Sequence, residues 1–574
     1  MRGTDRLRSL ALVSKVLDQS AMLVAQAERP QTTGAGDREG PARERTRRGT
    51  ALAVLCVSIL IVNLDNTILN VALPTLVRKL GATSSELQWI VDAYSMVFAG
   101  LLLVGGSVAD RFGRKRVFLL GLTIFGCGSV GAAFSGSVGM LIGWRAVMGS
   151  GAALTMPATL SLINDLFPDP GERSRAIGLW AGMSGIGIAI GPIAGGLLLA
   201  HFWWGSVFLV NVPIILGGLL GAVLLVPESR NPHAARPDPG GALLSILALG
   251  CILWAIIEAP THGWTSTDVL GVGLTGIAIL AVFLVWELRC EHPMLNLNFF
   301  RARRFSAAAA AVSLGAFALF GALFVQTQFL QFDLRLSPLQ AGVRILPLAA
   351  TIALAAPFSS LVVRYLGSKV PASIGLLAIA GGLCEASLVS GPATTYAQML
   401  PGLLLTGLGA GLLLPTATDA VIGSVPRSDS GVGSATNGVS IQFGGALGVA
   451  VIGSVLSSRY EHQMTRALAA IPIPRAAEQA ALGSIGGALD VAAKLPAAAG
   501  AQLVQHAGPA FMSGLGGALG IGAAVALAGM LVAAVTLPSR PAPQLEARQS
   551  PAGELSEEAE DGQREERSVL PSAP

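Results

Sequence analysis

Gly106-Ser107-Val108-Ala109-Asp110-Arg111-Phe112-Gly113-Arg114-Lys115-Arg116 lies between two apolar runs, residues 87–108 and 116–135. Each run is long enough to cross about 30 Å of hydrocarbon as a helix. The glycines let the chain turn sharply and let two helices approach closely. Asp110 stands where it can face a helix amino terminus or an arginine, while the basic cluster needs water. A plain charged loop accounts for the arginines but not for Gly-x-x-x-Asp-Arg-x-Gly-Arg-Lys at this spacing. The turn reads as a working part between two membrane spans.

Outward from this turn the pattern repeats. Apolar spans are expected at 51–72, 87–108, 116–135, 138–162, 175–200, 206–226, 242–258, 268–286, 305–330, 340–363, 370–391, 396–423, 434–456 and 511–537. The composition agrees. Hydrophobic residues are 52% of 574 and charged residues 13%, against about 25% charged in soluble chains, and mean hydropathy is +0.63. A string of soluble domains is excluded. The expected fold is an all-α integral membrane protein with fourteen transmembrane helices. An even count puts both termini on one side, and most of the 38 Lys and Arg residues then share that side. The positive-inside rule makes it the cytoplasm.

An internal repeat divides the chain. Met148-Gly-Ser-Gly-Ala-Ala-Leu-Thr-Met-Pro157 in span 4 matches Thr406-Gly-Leu-Gly-Ala-Gly-Leu-Leu-Leu-Pro415 in span 12, pairing Gly149 with Gly407 and Gly151 with Gly409. Gly113-Arg114-Lys115 matches Gly367-Ser368-Lys369 more faintly. The reading is a cytoplasmic tail at 1–50 and an amino-terminal six-helix bundle at 51–226. Two inserted helices follow at 242–286, then a carboxy-terminal six-helix bundle at 305–537 and a disordered cytoplasmic tail at 538–574. Residues 457–510 form an external loop able to hold short helices. Ser9 to Ala27 has the outline of a signal peptide, but Lys15 and Asp18 interrupt it. Two similar bundles about a central axis suit alternating access.

Three signatures resemble a known family. The Gly106–Arg116 turn resembles the signature loop of the major facilitator superfamily. Leu64-Asp65-Asn66-Thr67-Ile68-Leu69-Asn70-Val71-Ala72-Leu73-Pro74 resembles a motif of its fourteen-span drug:proton antiporters. Gly187-Ile-Ala-Ile-Gly191-Pro192-Ile-Ala-Gly195-Gly196 resembles the antiporter motif of its exporters, and Gln88-Trp89-Ile-Val-Asp92-Ala-Tyr94 resembles bacterial antibiotic exporters. The nearest class is the EmrB/QacA-type multidrug exporters, over about residues 50–540. The resemblance implies a gating role for Gly106, Asp110, Arg111, Gly113, Arg114 and Lys115. It also implies that Gly187, Gly191, Pro192 and Gly195 seal an external contact with the other half against proton leak. The family places a functional arginine at Arg145, followed by a Gln-Gly pair; here Met148 takes the Gln position.

Charges inside spans carry the chemistry. A carboxylate deep in a membrane helix costs about 2.5–3.5 kcal/mol on insertion scales and needs a reason. Counted along the spans at 1.5 Å per residue, Asp65 lies roughly 21 Å in, Asp92 roughly 8 Å and Arg145 roughly 10 Å. All three fall in the outer half of the amino-terminal bundle. Burial favours a neutral acid and a nearby arginine favours a charged one, so such a cluster suits proton loading and unloading. The six histidines fall at span ends or in loops, which leaves carboxylates as proton carriers. Two alternatives stay open: Asp65 as a static partner of Arg145, and Asp92 as an interfacial cap. Glu385 is a further acid within a span, read either as a second proton or cation site or as a structural partner. Tyr94, Trp180, Phe324 and Gln328 are cavity candidates, with packing as the alternative.

The five cysteines form no metal or disulfide pattern, and no phosphate-cradling Walker lysine motif occurs. An enzyme is not expected, nor a cofactor beyond protons as coupling ion, nor a nucleic acid partner. The expectation is a monomeric proton-coupled exporter of small amphipathic drugs in the cell membrane. Export of one endogenous antibiotic is the alternative, and nutrient facilitation on the same fold is the more distant one.

Overall fold

The computed structural model describes residues 41–231, 236–425, 430–469 and 473–537. The tail at 538–574 and most of the tail at 1–50 lie outside the described residues. Fourteen helices among the described residues are long and apolar enough to cross a membrane, the expected number. The first six are α1 (Pro41–Leu80), α2 (Ser84–Phe112), α3 (Arg114–Ala133), α4 (Val138–Leu166), α5 (Pro170–His201) and α6 (Ser206–Leu225). Then come α7 (Pro239–His262), α8 (Thr267–Arg289), α9 (Arg303–Asp333), α10 (Pro338–Leu366), α11 (Lys369–Val389), α12 (Tyr396–Ile422) and α13 (Ser430–Leu468). Two short helices, α14 (Arg475–Gly483) and α15 (Ile485–Lys494), precede the last span, α16 (Ala497–Thr536). The loop expected at 457–510 is thus largely helical, and the helices on either side of it extend into it.

The repeat is built from equivalent local signals. Helix α2 opens on a capping box, Thr83 with Glu86, and α10 opens on another, Ser337 with Gln340; each pair satisfies two orphan donors of the first turn. Both helices are 29 residues long. They end at Gly113 (φ +112°) and Gly367 (φ +74°), in backbone conformations that favour glycine. The faint sequence match at these two turns is therefore a match of backbone geometry.

Packing repeats in the same register. Helix α4 packs on α2 and α3, and α12 packs on α10 and α11. A Cβ on Gly149 would come within 2.5 Å of the Tyr94 carbonyl oxygen on α2, and one on Gly407 within 2.6 Å of the Leu348 carbonyl oxygen on α10. Gly151 and Gly409 are pressed in the same way against α3 and α11. Small residues bring backbones together where lipid supplies no hydrophobic drive between helices.

The halves meet through α2 with α13 and through α5 with α10, two contacts exchanged by the repeat. At the end away from Gly113, Gln331 Nε2 donates to the Val71 carbonyl at 2.8 Å and Ser454 Oγ to Gln88 Oε1 at 3.2 Å. There Gly196 lies against Leu339, and Gly342 against the Pro192 carbonyl. Toward Gly113 the same two helices carry exposed positions. Gly178, Gly182 and Gly185 face open space, and Phe358, Leu361 and Tyr365 are exposed. The inserted α7 lies along the other seam, touching both α2 and α13. Helix α15 crosses the meeting end, its Gly486 wedged between Val77 of α1 and Phe332 of α9.

Candidate functional site

The two polar clusters of the amino-terminal half lie at its two ends. At the Gly113 end, Arg114 reaches back one helical turn to Asp110 (Nε to Oδ1 2.7 Å) and also binds Asp165 of α4. The turn is anchored from the other side by the stretch after α6. Glu228 accepts from the Lys115 amide at 3.1 Å and pairs with Arg116 at 3.5 Å, and the Arg114 amide donates to the Ser229 carbonyl at 2.8 Å. Lys115 Nζ donates to the Val223 carbonyl at 2.9 Å. Gly106 approaches Pro157 of α4, while Arg111 stays exposed. Of the two partners open to Asp110 in sequence, it takes an arginine.

The second cluster is buried. Asp65 of α1 and Arg145 of α4, 80 positions apart in sequence, form an ion pair with both side chains almost wholly out of solvent. Arg145 Nε donates to the Ile90 carbonyl of α2 at 3.1 Å, and its guanidinium lies 4.4 Å from the centre of the Tyr94 ring. Asn211 of α6 donates to the free oxygen of Asp65 at 2.9 Å and lies 3.3 Å from Ser129 Oγ of α3. Every helix of this half except α5 thus contributes a group. Such a pair is costly to break, because removing one partner strands the other charge in a low-dielectric site.

Asn211 went unnoticed in the sequence. Its signal is faint: one amide near the start of span 6, where interfacial asparagines are ordinary. Met148, in the family's Gln position, is fully buried against Gly128, so the amide beside Asp65 comes from α6 instead.

Asp92 stands apart. It is fully buried, and neither carboxylate oxygen has a hydrogen-bond partner among the described residues. The cap reading is corrected, since Thr83 and Glu86 cap this helix nine residues earlier. The α5 glycine stripe is corrected as well. Gly187, Gly191 and Gly195 face Leu60, Thr67 and Ile68 of α1 in their own half. A four-residue spacing makes one stripe, and the neighbouring stripe, Pro192 and Gly196, meets α10.

Between the halves, Thr67, Asn70 and Pro192 face Leu323, Thr327 and Leu348 across a cavity of about 30 Å³. That is room for water and not for a drug, so this end is packed shut. Tyr94, Trp180, Phe324 and Gln328 do not line it. Tyr94 is buried edge-on to Phe98 and Phe125, and Trp180 is half-buried against the core. Phe324 and Gln328 are buried on α9, where Gln328 donates to the Phe324 carbonyl at 3.3 Å. Glu385 rests one oxygen against Gly402 of α12.

The Major Facilitator Superfamily model matches residues 55–449. The multidrug efflux pump LfrA of Mycolicibacterium smegmatis is 37% identical over 86% of this chain and 97% of its own length. The tetracenomycin C resistance and export protein of Streptomyces glaucescens is 33% identical over 87% of this chain and 93% of its own. The methyl viologen resistance protein SmvA of Salmonella typhimurium is 33% identical over 81% and 93%. Among solved structures, a bacterial homologue of the lysosomal transporter Spinster, inward-facing and unoccupied, superposes with a TM-score of 0.57 at 17% identity, covering 88% of this chain and all of that one.

Proposed function

This chain belongs to the Major Facilitator Superfamily, and from that premise we propose that it is a proton-coupled antiporter that expels drugs or other small amphipathic compounds. It is a multi-pass membrane transporter whose relatives are named for multidrug, tetracenomycin C and methyl viologen resistance. The basic Gly113 turn supports the orientation: the positive-inside rule favours the cytoplasm for that end, and an even span count favours it for both termini. The exposed stretch of α5 and α10 toward Gly113 then lies on the cytoplasmic side, and the packed end is the external gate. The protein works as a monomer in the cell membrane.

The observation that carries the coupling is the buried Asp65–Arg145 pair with Asn211 on the second carboxylate oxygen. Protonating Asp65 removes the counter-charge of an arginine that has nowhere else to place it. An unpaired buried charge costs about 3–5 kcal/mol, so the proton-loaded site favours a conformation in which Arg145 gains water or another acceptor. Asp92, two residues from the Ile90 carbonyl that Arg145 already holds, is the acid that assists. Opening to the outside admits the proton, rocking of the two halves carries it inward, and cargo leaves in exchange. Single-compound export uses the same machinery and differs only in the cavity.

Everted membrane vesicles test this reading. Asp65→Asn is expected to abolish pH-gradient-driven uptake of a fluorescent dye substrate while the protein still reaches the membrane folded. Wild-type transport by that variant would overturn Asp65 as the coupling acid.

A further inference from the structure

Near the closed end of the carboxy-terminal half, α11, α13 and α16 enclose an open cleft of about 750 Å³. Arg459 of α13 lies across its glycine floor, where a Cβ on Gly517 would run into the guanidinium. Among the described residues Arg459 has neither an ion pair nor a hydrogen bond, and no carboxylate lines the cleft. The hydroxyls around it sort by role. Ser387 and Ser390 spend their protons on the Gly516 and Ala386 carbonyls at 2.6 and 2.7 Å. Ser513 accepts from Gln463 Nε2 at 2.7 Å, which leaves its own proton to give. The unspent groups at this mouth are therefore donors, on a cation and a hydroxyl. Further along α16 the lining turns apolar, with Ile521 and Ala524.

The level is that of a membrane boundary. Ser390 and Gly391 follow directly on the end of α11. Trp264, at the turn between the inserted helices, donates its indole N–H to Ser458, the neighbour of Arg459, at 3.1 Å. Tryptophan concentrates where hydrocarbon gives way to headgroups. An unpaired arginine and a free hydroxyl above apolar wall match a phosphate that carries a hydrocarbon tail, since guanidinium binds phosphate oxygens through its fork of donors.

We propose that this cleft is a phospholipid site, with Arg459 and Ser513 on the phosphate and one acyl chain along Ile521 and Ala524. Having a single cation and no acidic lining, it prefers an anionic head, such as phosphatidylglycerol, over phosphatidylcholine. The assignment is independent of what the transporter carries.

Native mass spectrometry of the full chain, supplied in turn with phosphatidylglycerol, phosphatidylcholine and inorganic phosphate, tests it. Wild type is expected to retain one phosphatidylglycerol more tightly than phosphatidylcholine. Arg459→Ala should weaken that retention roughly fivefold to tenfold, and Arg459→Lys should restore part of it. Gly520→Leu keeps the charge but fills the floor, and should lose the lipid as well. Equal retention by wild type, Arg459→Ala and Gly520→Leu would overturn the site. So would inorganic phosphate binding as well as the lipid, or a wild type that does not discriminate between the two lipids.

Discussion

The two halves of this transporter share a scaffold and differ in charge. In α4 and α12 the glycines at 149 and 407 and those at 151 and 409 press on equivalent neighbours, and prolines 157 and 415 stand at equivalent places inside the helices. Four residues before the first glycine of each pair the equivalence stops. Arg145 in one half corresponds to Leu403 in the other. Arg145 draws in Asp65, Asn211, Ile90 and Tyr94, whereas Leu403 lies among apolar and neutral polar groups such as Met399 and Thr406. On the proposed mechanism the backbone repeat would supply rocking, and the difference in charge would let the amino-terminal half respond to protons. The carboxy-terminal half offers buried amides, Gln326, Gln328 and Gln331, and an acid, Glu385, resting against Gly402 with no arginine beside it among the described residues.

Making the halves alike should have the largest effect. Arg145→Leu copies the carboxy-terminal side chain into the amino-terminal half and strands Asp65. The expected cost is about 3–5 kcal/mol, read as a large fall in the thermal unfolding midpoint in detergent. Adding Asp65→Leu removes the stranded charge and should recover most of that stability, because replacing both members of a buried pair by apolar groups is often neutral. Transport should stay lost in both variants. A double variant as unstable as the single one would show that the pair is not the reason for the cost, and proton-driven efflux by the double variant would end the comparison.

The shared scaffold predicts equality where the charge predicts difference. Gly149→Val and Gly407→Val both drive a side chain into a carbonyl across a helix pair, so both should destabilise by about 1–3 kcal/mol. Similar falls in unfolding midpoint are expected. A tolerated change on one side alone would mean that the repeat is one of sequence and not of packing.

Much of this was legible in residue order. Run lengths gave fourteen spans, and small residues at fixed offsets gave the repeat, because membrane packing rewards them directly. The Asp65–Arg145 pairing was open as one of two readings on depth alone. Three features escaped for separate physical reasons. Asp92 lies deeper than its place in the apolar run implies, because its helix begins earlier, at Ser84, and because α14 brings Gly483 beside Thr83, covering an end that counting along the chain treats as wet. The α5 glycines define a stripe by spacing alone, and spacing does not say which neighbour the stripe meets. Asn211 acts only through its partners, and a lone amide near a span end gives no periodic signal.

The smallest expected effect lies at the turns, where the repeat holds in backbone and fails in surroundings. Gly113 and Gly367 both sit at positive φ, so alanine at either should cost on the order of 1–2 kcal/mol in backbone strain. At Gly113 a second cost adds, because the new Cβ would come within 2.8 Å of the Glu228 carboxylate that holds the Lys115 amide. Gly113→Ala should therefore lower the unfolding midpoint slightly more than Gly367→Ala. It should also slow turnover while substrate still binds, since Glu228 ties the turn to the end of α6 and a displaced tie alters how the half moves as a body. Dye binding by fluorescence anisotropy and efflux rate, measured on the same two variants, separate the effects. Equal turnover in both would reduce the Gly113 turn to ordinary chain reversal and leave the buried pair as the main functional difference between the halves.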